Sequence, residues 1–154
     1  MATLFIDPHG DDLALFAAFS VLKVEEPFVY IPMRTVPLDE VNEALWQLKC
    51  PVWSETLPSR DWEAVYAPAL DEAGHADHND AALDAHALFP NVISYATYAP
   101  RAQRTRTNKE VSFEPWMVAK KLRALSCFLS QIEQESTRPW FTYLLDVREW
   151  ICEN

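Results

Sequence analysis

The sequence predicts an α/β protein: a mostly parallel sheet with helices on both faces. Three observations lead there. Short β-prone apolar runs alternate with stretches whose apolar residues recur every three or four positions, the pattern of strand–helix units. The first run, residues Ala2 to Ile6, is apolar on nearly every residue, as a strand buried on both faces must be. The residues able to do chemistry cluster directly after two of these runs, at the strand ends where such sheets bind ligands.

The elements follow in order. After the first strand, Asp11 to Lys23 is expected to be a helix, with Leu15, Phe16, Phe19 and Leu22 on one face. Pro27 to Ile31 is the second strand, on its β-prone Phe-Val-Tyr-Ile run. Pro37 precedes a helix from Leu38 to Lys49, where Leu38, Val41, Leu45 and Leu48 share a face. Pro51 to Trp53 suits a short third strand, Ser59 to Trp62 a loop or single turn, and Ala64 to Ala67 a fourth strand ended by Pro68. Asp77 to Leu88 is expected to be helical and Val92 to Tyr98, which alternates, a fifth strand. Arg101 to Lys109 is a polar, basic loop, and Glu110 to Phe113 another strand. Pro115 to Glu135 is the longest helix, with a stripe of Val118, Leu122, Leu125, Leu129 and Ile132. Pro139 opens a last helix carrying Trp140, Leu144, Val147 and Ile151.

Composition bounds the function. A chain of 154 residues suits one domain spanning 1–154, with no internal repeat or linker, and at 49% hydrophobic it can build a core without staples. A net charge of −10 repels phosphate backbones and anionic bilayers, so neither nucleic acid nor a membrane is expected as partner. Cys50, Cys127 and Cys152 are odd in number and widely spaced, which suits reduced thiols in the cytoplasm. There is no signal-peptide pattern and no apolar run long enough to span a membrane. Two glycines exclude a glycine-rich phosphate loop.

The chemistry sits in two segments. His9-Gly10-Asp11-Asp12 follows the first strand, with Pro8 and Gly10 forcing a turn, and His9 and Asp12 can converge at the strand mouth. Gly74-His75-Ala76-Asp77-His78 follows the fourth strand and adds two imidazoles and a carboxylate. Three of the four histidines thus fall in these segments, while His86 lies in an Ala-rich run and reads as a surface residue. An Asp pair at a helix start is ordinarily a cap, and a lone His after a strand ordinarily a turn residue. The two segments together, in this order, point instead to a metal site.

The pair resembles the de-N-acetylase family that includes the GlcNAc-phosphatidylinositol, mycothiol and bacillithiol pathway enzymes, the PIG-L or LmbE-like family. Its hallmarks are His-Pro-Asp-Asp after the first strand and Gly-His-Pro-Asp-His further on. Glu40, Glu43 and Ala44, and later Lys121, Ala124, Leu125, Ser130 and Gln131, add weaker similarity. The resemblance implies a Rossmann-like three-layer sandwich and a zinc-dependent N-deacetylase acting on an N-acetylated amino sugar, such as a GlcNAc derivative, or a related small N-acyl compound. It implies His9, Asp12 and His78 as ligands of Zn2+ or another divalent ion such as Fe2+. It makes Asp11 the general base, His75 the group that stabilises the oxyanion, and Asp77 the carboxylate that steadies His75. This chain departs from the pattern at Gly10 and Ala76, where the family has proline. Leu13 replaces a frequent glutamate, and Asp7 replaces a small or neutral residue.

Two other readings compete. Two histidines and a carboxylate also make the facial triad of iron(II) oxygenases, although those are usually all-β barrels with His-x-Asp spacing. A binding protein without turnover would keep the fold but would not need Asp11 or His75. Trp53 and Trp62 are candidate sugar platforms, and Arg101, Arg104, Arg106 and Lys109 a candidate anion-binding loop.

Overall fold

The computed structural model describes residues 2–71, 74–97, 109–134 and 147–152. Its strands are β1 (Ala2–Ile6), β2 (Glu26–Tyr30), β3 (Trp53–Ser54), β4 (Ala64–Pro68), β5 (Val92–Tyr95), β6 (Lys109–Glu110) and β7 (Trp150–Cys152). Its helices are α1 (Asp12–Phe16), α2 (Ala18–Leu22), α3 (Leu38–Gln47), α4 (Ala76–Leu88), α5 (Pro115–Ser126) and α6 (Leu129–Gln134). The sheet has seven strands in the order β3-β2-β1-β4-β5-β7-β6. The first five in that order are parallel to one another, and β7 runs antiparallel to both β5 and β6. The Rossmann-like α/β sandwich expected from the sequence is the observed fold.

The chain winds outward from β1 to β3, then returns to lay β4 on the other side of β1. That reversal makes the crevice beyond β1 and β4 the topological switch point, where open α/β sheets hold ligands. Alternation along β1 divides the core. Phe5 packs with α1, α2, α3 and α5 on one face, while Leu4 and Ile6 join Val65, Ala67, Ala81, Ala85 and Val92 on the other. Among the described residues, α4 is the only helix on that second face. Its buried side is Ala81, Ala82 and Ala85, small residues that let the helix lie close to β4 and β5.

The expected helix from Asp11 to Lys23 is two short helices, broken at Ala17 (φ −139°, ψ 16°). An unbroken helix would pair the N–H of Phe19 with the carbonyl of Leu15. Here Glu149 Oε2 accepts that N–H at 2.8 Å, and Lys121 Nζ donates to that carbonyl at 2.8 Å. Lys121 and Glu149 bond each other at 2.8 Å, and neither side chain is exposed. Burial raises the pKa of Glu149 against the opposing charge of Lys121. The ion pair therefore occupies the place of one missing helix hydrogen bond, and only the folded chain brings it there.

The helix expected from Pro115 to Glu135 also divides. Cys127 and Phe128 bond back three residues rather than four, which closes α5, and Glu40 then accepts both the N–H and the hydroxyl of Ser130 at 2.8 and 2.7 Å in the first turn of α6. The last helix expected from Pro139 does not reach Ile151. Residues 139–146 lie outside the described set, and Ile151 instead pairs with Tyr95 and Lys109 across the sheet. An apolar stripe in a three-and-four pattern is overridden here by two open strand edges. The strand expected at Glu110 to Phe113 sits earlier, at Lys109–Glu110.

Replacing Lys121 with Met strands a buried carboxylate and the Leu15 carbonyl, and breaking such a pair costs about 3–5 kcal/mol. Urea unfolding of Lys121→Met should show a loss of that order, and adding Glu149→Gln should recover part of it.

Candidate metal centre

Both motif loops are held by hydrogen bonds to main-chain groups. The first leaves β1 with the N–H of Asp7 on the Tyr30 carbonyl at 2.9 Å, and Met33 and Thr35 donate back to the carbonyls of Pro8 and His9 at 3.1 and 3.0 Å. Gly10 takes φ +102°, and a Cβ there would meet Val36 and Val41 methyls at 3.0 Å, so the turn needs glycine on two counts. The second loop is braced by Asn79, which accepts the N–H of Asp71 at 2.9 Å and donates to its carbonyl at 2.8 Å.

The loops bring His9, Asp12 and His78 to one point. His9 Nδ1 lies 3.1 Å from Asp12 Oδ2, His78 Nε2 lies 3.0 Å from Asp12 Oδ1, and the two ring nitrogens are 3.3 Å apart. Asp12 and His78 are fully buried and His9 is half-buried. On its other nitrogen, His9 Nε2 meets Asp77 Oδ2 at 3.0 Å. A carboxylate there accepts the Nε2–H bond, which in the neutral ring leaves the Nδ1 lone pair facing Asp12 and His78. Acceptors so close together require positive charge between them. Burial disfavours charge on His9, but the Asp12 contact and charge, the Asp77 hydrogen bond and Asp11 outweigh it and raise the ring to about 9. Burial also opposes charge on Asp12, yet the His78 and His9 contacts hold its carboxyl below the usual carboxylate range. Asp12 Oδ1, despite its approach to His78, has no aligned hydrogen-bond donor. Zinc bonds of about 2.0–2.2 Å set tetrahedral ligand atoms roughly 3.3 Å apart, so the three donors fit such an ion.

Further carboxyl groups surround the trio. Asp7 is fully buried, and its pKa is pushed well above the usual range by burial and by the charges of Asp12 and Asp11. Tyr95 packs below with its hydroxyl donating to the Ile6 carbonyl at 2.7 Å. Asp11 is buried at the N-cap position of α1 but makes no side-chain cap bond. A divalent cation offsets such a concentration of carboxylates.

His75 stands at the mouth, half exposed, as the N-cap of α4. Its Nδ1 accepts the N–H of Asp77 at 3.3 Å, which places the ring proton on Nε2. The carboxylate of Asp77 is 3.5 Å from that ring and closer to His9, so the main chain of Asp77 fixes His75 while its side chain fixes His9. The sequence did not disclose this division, nor the bracing by Asn79, because both depend on the fold of the loop before α4. Trp62 lies ahead of β4, at the end of the sheet away from the motifs, tilted against Phe28 with Arg60 over its ring. Trp53 is committed to Asn42 and the core. His86 is exposed. Of the basic loop, Arg101, Arg104 and Arg106 lie outside the described residues.

A doubly wound sheet with a His–Asp–His centre at its switch point is the class that fold and site define. The deacetylase of the teicoplanin biosynthetic pathway, as an Orf2 triple mutant, matches with a TM-score of 0.70 at 16% identity, over 100% of this chain and 99% of that one. A zinc-inhibited form of teicoplanin deacetylase Orf2 matches at 0.66 and 14%, over 98% and 97% of the two chains. GalB, the 4-carboxy-2-hydroxymuconate hydratase of Pseudomonas putida KT2440, matches at 0.66 and 13%, over 95% and 83%. No protein-family model and no curated protein matches the sequence. The resemblance to the PIG-L and LmbE-like de-N-acetylases, first carried by two motifs, thus extends to the fold.

His78→Ala removes one buried donor of three from a helix whose other buried residues are alanines. Elemental analysis should find most of the bound metal gone while the far-ultraviolet circular dichroism stays that of the parent. Full occupancy in this variant would exclude His78 as a ligand.

Proposed function

We propose that the chain is a PIG-L/LmbE-like de-N-acetylase, a hydrolase that removes the acetyl group from an N-acetylated amino sugar or a related small N-acyl compound. The observation that carries this reading is the convergence of His9, Asp12 and His78 at 3.0–3.3 Å, with Asp11 and His75 beside them. His9, Asp12 and His78 would hold a divalent ion, zinc in the first instance and iron(II) otherwise, which when bound would supply the Lewis acidity that lowers the pKa of water toward about 7. Asp11 takes the proton of the attacking water. The Nε2–H of His75 faces the carbonyl oxygen and stabilises the charge that develops there. Asp77 keeps His9 aimed through its carboxylate and His75 through its N–H. As the carbon–nitrogen bond breaks, the proton held by Asp11 passes to the leaving amine, and acetate and free amine depart.

The relatives support this in kind. Two of the similar structures are of a deacetylase, one of them zinc-inhibited, so metal should be titrated below and above one equivalent. The hydratase shows that the fold serves another reaction, and 4-carboxy-2-hydroxymuconate is therefore the control substrate. Free cysteines and the lack, among the described residues, of any helix able to cross a membrane are compatible with a cytoplasmic site of action.

The test is acetate release from a panel of N-acetyl sugars by the metal-loaded protein. Hydration of the control substrate without acetate release from any amide would replace this reading with the hydratase one.

Asp11→Asn should keep its metal and lose about 10²–10⁴ in kcat, the usual worth of a general base. Parent-rate hydrolysis by Asp11→Asn would reduce Asp11 to a structural residue. His75→Ala should lose about 10²–10³ in kcat with little change in KM or metal content, as for removal of one oxyanion donor. Metal loss in His75→Ala would instead make His75 a ligand.

A further inference from the structure

We propose that Asp7 is the positioning residue of the metal centre: its buried carboxylate, by accepting the N–H groups of Gly10, Asp12 and Leu13, sets the turn that presents His9 and Asp12 together. This rests on the reading of His9, Asp12 and His78 as a metal site, and goes beyond it by naming what shapes that site in this chain.

Asp7 follows β1 and is fully buried, with its own N–H fixed on β2. Its Oδ1 accepts Gly10 N–H at 2.7 Å and Asp12 N–H at 3.3 Å, and its Oδ2 accepts Leu13 N–H at 3.3 Å. Two of these donors open α1 and would otherwise be orphaned in a buried helix start. The residue at the N-cap position, Asp11, makes no side-chain cap bond. Asp7 performs that capping from upstream, reaching over the turn, so His9 and the α1 start are held as one rigid unit.

Asp7 and Gly10 are matched. The shortest of the three bonds uses the N–H of Gly10. A proline at that place has no N–H to give and is locked near φ −65°, far from the +102° found here. A turn shaped by a proline ring can do without the carboxylate. A turn with glycine, the loosest residue, needs an outside restraint.

The test measures zinc affinity of the full chain by competition with a chromophoric chelator, together with the visible absorption of the cobalt(II) form, which reports ligand geometry. Residues that orient metal ligands are typically worth 10–100-fold in affinity. Asp7→Ala should weaken zinc binding by about that factor and alter the cobalt spectrum. Asp7→Asn, which keeps one acceptor for Gly10, should fall between Asp7→Ala and the parent on both measures. A role in stability alone would lower the melting temperature and leave the affinity and spectrum of the folded protein at parent values, and that result overturns the proposal. If Asp7→Ala does not fold, Asp7→Asn decides on the same two readouts. His78→Ala is run in parallel. Parent-like zinc binding in that variant overturns the metal site itself, whereas zinc loss there with parent-like binding in the Asp7 variants overturns only the role of Asp7.

Discussion

A lysine and a glutamate with no access to solvent join three parts of the chain that are far apart in sequence. Lys121 comes from α5, Glu149 from the residue before β7, and both bond the main chain between Leu15 and Phe19. A buried ion pair is a weak source of stability by itself, because desolvation offsets most of the attraction. This one has a geometric result. It stands in for the Phe19 N–H to Leu15 carbonyl bond that the break at Ala17 leaves unmade, so this part of the helical layer divides into α1 and α2. The start of α1 and the first motif turn lie just upstream of that break, in the same buried segment.

Above that layer, the strand order fixes where chemistry can occur. The two loops bearing histidines and aspartates leave the two strands that flank the reversal of winding, and their side chains meet across it. Each strand contributes what the other lacks: β1 a carboxylate and one ring, β4 the second ring and the groups at the mouth. The small face of α4 matters here. Alanines against the sheet set the helix depth, and His78, one turn from Ala81 and Ala82 on the same side, is carried inward with them. The electrostatic character is equally local, since three acidic side chains, Asp7, Asp11 and Asp12, are buried within six residues of one another.

Much of the fold was legible because parallel strands buried on both faces leave an apolar signature, and β1, β2, β4 and β5 were each placed within a residue or two at their starts. The failures share a cause. The break at Ala17 is made by side chains more than a hundred residues away, which no local pattern encodes. Ile151 fits a helical stripe until two strand edges claim it. The candidate site divides the same way. Residue types and order pointed to His9 and Asp12 with the His75–His78 segment, the resemblance chose His78 from it, and the fold brings the donor atoms of His9, Asp12 and His78 together. Hydrogen bonds to the main chain were invisible: Asp7 shows in sequence only as an unexpected acid, although its partners are three to six residues on, and Asn79 shows not at all.

The position of β7 has a consequence for synthesis. It lies between β5 and β6 yet is translated after both, about 40 residues behind β6. About 55 residues separate the end of β5 from β7, so at ribosomal rates of about 5–20 residues per second the edge of β5 waits roughly 3–11 s for its partner. During that interval its unpaired main-chain groups offer a template to any neighbouring strand. Glu149 arrives with β7, so the gap in the first helical layer closes in the same event that covers this edge. A nascent chain stalled before that point carries both motifs but neither the β7 pairing nor the Glu149 carboxylate.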